Sequence, residues 1–255
     1  MGKGALGLPF EYRKRPEYFD ALNAFDIKTN SLIESILKKH KVRTVLDLTC
    51  GTGSQVFFLA KQGYKITGAD FSPALLKKAR ERARREKIDV RFIDGDMRKL
   101  KIGQFDAVIT IANAVGHLTK AGFEKAMRNI NQNLKPGGIY VFDILNLDAM
   151  TDKVVADLAI HTQKRVGDSQ LHRIQCSTID RKSGRFTSYE TGFIQKNASK
   201  PIRINYQCSL QIYKAQELRE MLTRNGFDTL GQYGMNGSKL IKHKTTDILT
   251  VARKK

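Results

Sequence analysis

Three short runs within the first 145 residues, 42–48, 107–111 and 139–144, are apolar almost throughout. A strand with one wet face alternates polar and apolar residues. A strand covered on both faces does not, and these runs have that length and character. Between and beside them lie segments of helical period. Residues 31–40 (SLIESILKKH) begin with Ser31 and Glu34, the spacing of a capping box. Residues 54–62 end near Gly63, and residues 73–87 follow a Ser72-Pro73 start. Residues 120–133 complete the set, with further strands at 64–69 and 90–93 and KPGG as the turn into 139–144. Strand and helix alternating in this way make a doubly wound parallel α/β sheet over residues 40–145.

The rhythm changes near residue 158. LAIHTQKRV, LHRIQCSTID, RFTSYETGFIQ and IRINYQCSLQIY have strand composition and are separated by GDS, KSG and NASKP, the pattern of an antiparallel meander. A helix at 215–225, ended by Gly226, and strands at 227–233 and 247–252 then close the edge of the sheet. The expected organisation is a helical N-terminal cap (1–40), a core made of 41–157 with 213–255, and an antiparallel insertion (158–212) before the last helix.

The 255 residues suffice for a sizeable core. Cys50, Cys176 and Cys208 are too few and scattered for a disulfide framework or a metal site. There is no apolar run of membrane-spanning length and no leader pattern, so the default expectation is a cytoplasmic protein without a membrane partner. The net charge of +20 is the outlier. It would suit a nucleic acid or another anionic partner. Its densest run, KKARERARREK, keeps Leu75, Leu76, Ala79 and Ala83 at helical spacing and carries no aromatic residue, which reads as the solvated face of an amphipathic helix.

The first buried strand leads into VLDLTCGTGSQ. Gly51 and Gly53 remove two Cβ atoms where, in an open α/β sheet, the backbone comes closest to a ligand. A dinucleotide site would need a third glycine, and Val56 stands there. Acids recur at successive strand ends instead: Asp47 before the glycines, Asp70 in GADFS and Asp96 in DGDM.

VLDLTCGTGSQ, ITGADFSPALLKKAR, FIDGDMRKL, FDAVIT and LKPGGIYVFDI resemble, in order and spacing, the motifs of class I S-adenosylmethionine-dependent methyltransferases, over about residues 42–145. The resemblance implies a Rossmann-like, seven-stranded, mostly parallel sheet, S-adenosylmethionine as cofactor and S-adenosylhomocysteine as product. It implies that Asp47, Thr49, Gly51 and Gly53 surround the methionine portion. Asp70 would take the ribose hydroxyls, with Phe71 and Ser72 beside the adenine, and Asp96, Met97 and Ile111 would complete the pocket. Cys50 reads as a small packing residue.

ITIANAVGHL is similar to the corresponding stretch of small-molecule N-methyltransferases. It lacks the Asn/Asp-Pro-Pro-Tyr/Phe signature of enzymes that modify exocyclic amines of bases or of glutamine, and the Asp-Asn pair of magnesium-dependent relatives. DMRKL with NAVGHL resembles glycine/sarcosine methylating enzymes, and the insertion resembles that of sugar-amine N-methyltransferases. The expected reaction is metal-free methyl transfer to a small-molecule acceptor, expected to be an amine, with His117, Asn113 and Tyr18 near the reacting end. Tyr12, Phe19, Arg13 and Arg15 from the N-terminal segment, and Arg173, Tyr189, Arg203 and Tyr206 from the insertion, are candidate acceptor contacts. His161, His172 and His243 are isolated. RNA as acceptor, and a non-catalytic cofactor-binding module, stay open as alternatives. The insertion could roof the acceptor or form a homodimer contact.

Overall fold

The computed structural model describes residues 9, 12, 15–23 and 27–255. Arg13 lies outside the described residues. A short 3-10 turn (Pro16–Tyr18) leads into α1 (Phe19–Leu22). There follow α2 (Ile27–Lys39), β1 (Thr44–Asp47), α3 (Ser54–Lys61), β2 (Lys65–Asp70), α4 (Pro73–Glu86), β3 (Arg91–Asp94), β4 (Phe105–Thr110), α5 (Lys120–Asn133) and β5 (Leu134–Leu145). Next come α6 (Asp152–Asp157), the strands β6 (Ile160–Val166), β7 (Ser169–Asp180), β8 (Arg185–Lys196) and β9 (Ile202–Gln211), then α7 (Ala215–Arg224), β10 (Phe227–Tyr233) and β11 (Asp247–Lys254).

Seven strands form one sheet in the order β10-β11-β5-β4-β1-β2-β3. The five strands from β3 to β5 are parallel; β11 runs antiparallel to β5, and β10 antiparallel to β11. Successive residues of one strand feed opposite layers. Leu46 packs with Phe123, Met127, Ile130, Tyr140 and Phe142 on the α5 side. Val45 packs with Ile33, Leu37, Val56 and Leu76 on the α2–α4 side. Both are fully buried, as a strand covered on both faces requires.

The basic helix forms as its sequence directs. Ser72 accepts from the Leu75 amide (3.4 Å) with Pro73 behind it, and Leu75, Leu76, Ala79 and Ala83 are buried. Three expectations need correction. The helix expected at 31–40 starts at Ile27, so Ser31 lies inside it and forms no capping box with Glu34. KPGG does not leave the sheet: β5 begins at Leu134, and three extra residues bulge between the pairs Phe105–Leu134 and Ala107–Ile139. Helix α6, capped by the Thr151 hydroxyl on the Val154 amide, interrupts the approach to the insertion; its six residues are too short for a periodic signal.

Strands β6 to β9 form a separate antiparallel sheet, paired in chain order. It is anchored at its two ends. Leu171 and Ile194 pack with Tyr18 at one end; Phe186, Ile179 and Leu210 pack with Met150, Val155 and Ile212 at the other. No helix among the described residues is long and apolar enough to cross a membrane.

Phe123 joins the layers. It is fully buried and meets Phe142 edge-on (ring centroids 5.4 Å) and Tyr213 at 5.7 Å. Phe123→Ala should cost about 3–5 kcal/mol in urea unfolding with an unchanged m-value; a loss under about 1 kcal/mol would mean that this junction does not carry the core.

Candidate functional site

The parallel strands end their carboxyl sides on one edge, and the sheet order reverses between β1 and β4 there. The β1 turn is built for close approach. Gly51 has φ +53° and Gly53 φ +91°, both left-handed. A Cβ on Gly51 would stand 3.0 Å from Cζ of Phe19, and one on Gly53 2.7 Å from Cε2 of Phe57. Helix α1 therefore lies directly on the glycine turn, and the Thr52 hydroxyl donates to the Asp20 carboxylate across the contact. Cys50 packs beneath; burial pushes its thiol well up, which removes it as a nucleophile.

Two buried carboxylates face this turn. Asp47 accepts the Thr49 amide (3.1 Å), and burial raises its pKa to about 7, with the charge of Asp70 adding to the effect. Asp70 accepts the Gly51 amide (2.9 Å) on one oxygen and the Ser72 amide (2.8 Å) on the other; burial raises it to about 6. Neither has a cationic partner among the described residues. Each oxygen of Asp70 keeps a second acceptor direction. The Thr49 hydroxyl is buried and without a partner.

Tyr12 ties the N-terminal segment to the end of β2. Its carbonyl accepts from Ser72 Oγ, and its ring stacks over Phe71 (6.2 Å), meets Phe19 edge-on (5.3 Å) and stands 5.7 Å from the His117 ring. At the end of β3, Asp96 is gripped by Arg98 (Nε to both oxygens, 2.9 and 3.0 Å). Burial opposes its ionisation, but the Arg98 hydrogen bonds prevail and hold its pKa down. Met97 is buried, its carbonyl accepting from Asn129 (3.0 Å), and Ile111 packs with the core.

The loop after β4 is held by a residue that sequence reasoning missed. Ala112 (φ +66°) and Asn113 (φ +56°) are both left-handed without being glycine. Asp143 of β5, buried among apolar neighbours, accepts both amides, at 2.6 and 3.0 Å. Burial lifts its pKa to about 7. The available signal was an acid inside the apolar run IYVFDIL. Asn113, expected at the reacting end, instead accepts the Leu145 amide (2.8 Å), so its carbonyl oxygen positions the loop. The loop is clamped further at Gly116, where a Cβ would meet Ile144 (2.8 Å), the Gln211 carbonyl and Leu210. His117 is thereby carried between Tyr12 and the insertion.

The register of the insertion sorts its candidates. Arg173, Gln175, Glu190 and Tyr206 share the face anchored by Leu171 and Phe186, and Tyr189 and Arg203 lie on the opposite, exposed face. Tyr189 and Arg203 therefore do not face the site. Between the two apolar anchors the inner face is polar: Arg173 pairs with Glu190 (2.8 Å), both nearly fully buried, and Arg173 Nε has no partner. Tyr18 belongs to the apolar anchor with Leu171 and Ile194, a packing role in place of the expected chemical one. Arg15 is half-exposed and pairs with Glu17 at 3.6 Å. His243 Nδ1 meets the Asp148 carbonyl at 3.1 Å, while His161 and His172 are outer-face strand residues.

The family described as "Methyltransferase domain" matches residues 45–138, the segment that carries the glycine turn, Asp47, Asp70 and Asp96 but not Asp143. The rabbit (Oryctolagus cuniculus) glycine N-methyltransferase is 29% identical over 171 residues, 58% of this chain and 58% of that one. The glycine/sarcosine N-methyltransferase of Parasynechococcus marenigrum is 34% identical over 125 residues, 46% and 43% of the two chains. The chain thus spans about half the length of the curated relatives it matches. Among solved structures, the sugar N-methyltransferase KedS8 from Streptoalloteichus superposes with TM-score 0.76 at 17% identity, covering 98% of this chain and 95% of that one. An S-adenosylmethionine-dependent methyltransferase from Clostridium acetobutylicum also gives 0.76, at 18% identity over 92% and 95%. At such identities the likeness speaks for the fold. Residues 45–138 thus match a methyltransferase domain, and the whole chain shares the Rossmann-like sheet of solved S-adenosylmethionine-dependent methyltransferases.

The residues fit that cofactor. The cradle at Gly51 and Gly53 has no room for a Cβ, and two desolvated carboxylates lack a cation, which a ligand bearing an ammonium and two adjacent hydroxyls would complement.

Two predictions follow from the buried acids. The folded pKa of Asp47 lies above its unfolded value, so between about pH 4 and 7 the folded apo-protein holds a proton that the unfolded chain has lost. Its contribution is present at low pH and lost as pH rises through about 7. Wild type should therefore lose stability relative to Asp47→Asn from pH 5 to 8, while its affinity for S-adenosylmethionine rises and then levels; calorimetry across pH reads both, and parallel curves for the two proteins would refute the assignment. In Asp143→Asn an amide NH₂ must face one of two N–H groups. The loss should be about 1–3 kcal/mol of stability, with cofactor affinity retained and turnover reduced; unchanged turnover would free the loop from this carboxylate.

Proposed function

We propose that the protein transfers the methyl group of S-adenosylmethionine to a small amine, held between the 112–117 loop and the inner face of β6–β9. The observation that carries this reading is the polar belt on that face. Arg173, Gln175, Glu190 and Tyr206 lie between two apolar anchors, and Tyr12 and His117 stand at the mouth of the glycine turn. A polar wall of this kind beside the glycine turn suits a small acceptor with polar groups of its own. The names of the glycine and sugar N-methyltransferase relatives point the same way.

In this reading Asp47 receives the ammonium of the cofactor and Asp70 its ribose hydroxyls. Thr49, Gly51 and Gly53 line its methionine portion, and Phe71, Ser72, Asp96, Met97 and Ile111 surround the adenine. Bound there, the cofactor supplies a methyl group already activated on a positive sulfur, so no metal is called for. The chain's contribution is alignment, worth up to roughly 7–11 kcal/mol in well-oriented systems. Asp143 and Asn113 fix the loop that carries His117, and His117 takes the proton that an amine must lose. Tyr12 covers the mouth. Arg173 Nε and Tyr206 orient the acceptor through its own polar groups. Arg15, engaged with Glu17 at the surface, is the weakest member of the acceptor set.

Asp70→Ala should weaken S-adenosylmethionine binding about 10–100-fold in a folded protein; equal affinity by calorimetry would remove the ribose assignment. The acceptor class is tested by methyl transfer from tritiated S-adenosylmethionine into a cell extract split by size. Label in the small-metabolite filtrate, reduced by His117→Ala, is the expected result. Label confined to a nuclease-sensitive retentate would make RNA the acceptor. Binding without any transfer would make the protein a cofactor-binding module.

A further inference from the structure

The charge of +20 is not used by the site above. The topology says where much of it goes. In a doubly wound sheet the helices run back against the strands, so helix C-termini and strand starts meet at the edge opposite the ligand edge. Lys38 and Lys39 end α2, Lys61 ends α3, and Arg84 and Arg85 end α4. Arg43, Lys65, Arg91 and Lys135 sit at or beside the starts of β1, β2, β3 and β5, and β11, running the other way, brings Arg253 to the same edge. Cations at helix C-termini are favoured by the helix dipole, so the fold tolerates this concentration.

Glu86 and Asp106 neutralise part of it. Glu86 takes Lys61 (2.9 Å) and Arg82 (2.7 Å), and Asp106 takes Lys135 (2.7 Å). Lys39, Lys41, Lys65, Arg84, Lys87 and Arg253 have no acidic partner among the described residues. The pole is also concave. A cleft of about 400 Å³ is lined by His40, Lys41, Lys135, Gly137, Gly138 and Arg253, together with Asp106. Lys41 is held there in a left-handed conformation (φ +57°), uncommon outside glycine. Burial, then the charges of Arg253 and Lys39, push the His40 pKa below its ordinary value.

We propose that this pole docks the phosphate backbone of a nucleic-acid duplex. Among the described residues, no large apolar side chain at the cleft is exposed for insertion into a lipid surface, and none of the bases at this pole is interleaved with an exposed aromatic ring for stacking on unpaired bases. Phosphate contacts alone remain, which gives binding without sequence preference. The pole is separated from the ligand edge by the length of the strands, roughly 20 Å for the six residues of β4. The duplex would therefore be a docking partner and not the methyl acceptor, and this inference is independent of the proposed acceptor.

The test uses fluorescein-labelled 16-base-pair RNA and DNA duplexes and the full chain, by anisotropy at 50–300 mM salt. Expected for at least one duplex is binding at 100 mM salt with a steep salt slope. The triple variant Lys41→Glu, Lys65→Glu, Arg253→Glu should lose at least about tenfold in affinity, with a slope shallower by about 2–3. A control that reverses as much charge on the insertion (Lys182→Glu, Lys196→Glu, Lys200→Glu) should change affinity less than about twofold, and both variants should keep wild-type melting curves. In wild type, the His40 imidazole resonances should titrate at higher pH with the duplex bound. No binding, equal loss in the control, or tighter binding to vesicles containing 30% phosphatidylserine than to either duplex would overturn the proposal.

Discussion

The reversal of strand order between β1 and β4 is the constraint from which the rest follows. After β1 the chain builds outward to β3, then returns to lay β4 on the other flank of β1. The two outgoing connections therefore diverge, and the gap between them is filled by backbone that no neighbouring strand can satisfy. Asp70 closes it from one side, accepting the Gly51 and Ser72 amides, and Asp143 from the other, accepting Ala112 and Asn113. Asp70, the last residue of β2, takes one amide from each of two connections, and Asp143, two residues before the end of β5, takes both of its amides from the connection after β4. Because the acids are desolvated, they hold their geometry at the cost of raised pKa values, and the site is left short of positive charge.

That shortage gives the proposed cofactor its place. A ligand bringing its own cation and hydroxyl donors relieves Asp47 and Asp70 together, whereas a neutral ligand would leave Asp47 desolvated and unpaired. Two glycines suffice for the approach because the chain reaches over them a second time: Phe19 and Tyr12 close what Gly51 and Gly53 open.

Much of this was legible in the sequence, for a definite reason. Buried parallel strands read as apolar runs, and acids at their ends break those runs at the ligand edge; Asp47, Asp70 and the glycines stand out accordingly. Asp143 did not, because its partners are amides about 30 residues earlier, and a single acid inside an apolar run does not say what it accepts from. Asn113 was placed near the reacting end by position, but its side chain is committed to Leu145, a contact across the chain that local pattern does not encode. Arg173 and Tyr206 could not be separated from Tyr189 and Arg203 until register was known, since a slip of one residue exchanges the faces. Tyr18 misled because an aromatic in a capping segment packs as readily as it reacts.

The same topology explains why the strand-start edge carries so many bases. Running every helix against the strands points helix N-termini and strand carboxyl ends at the ligand edge and all helix C-termini the other way. Acids that serve the ligand are drawn to the first edge and buried; bases are tolerated at the second and stay in water. Burial makes the difference in consequence. Asp47 and Asp70, few and desolvated, recognise a ligand by direct contact. The lysines and arginines of the opposite edge, solvated and mostly unpaired, act only through a summed field that salt screens within about 8–10 Å. One edge is therefore suited to a molecule of fixed shape, and the other to a partner recognised by charge alone.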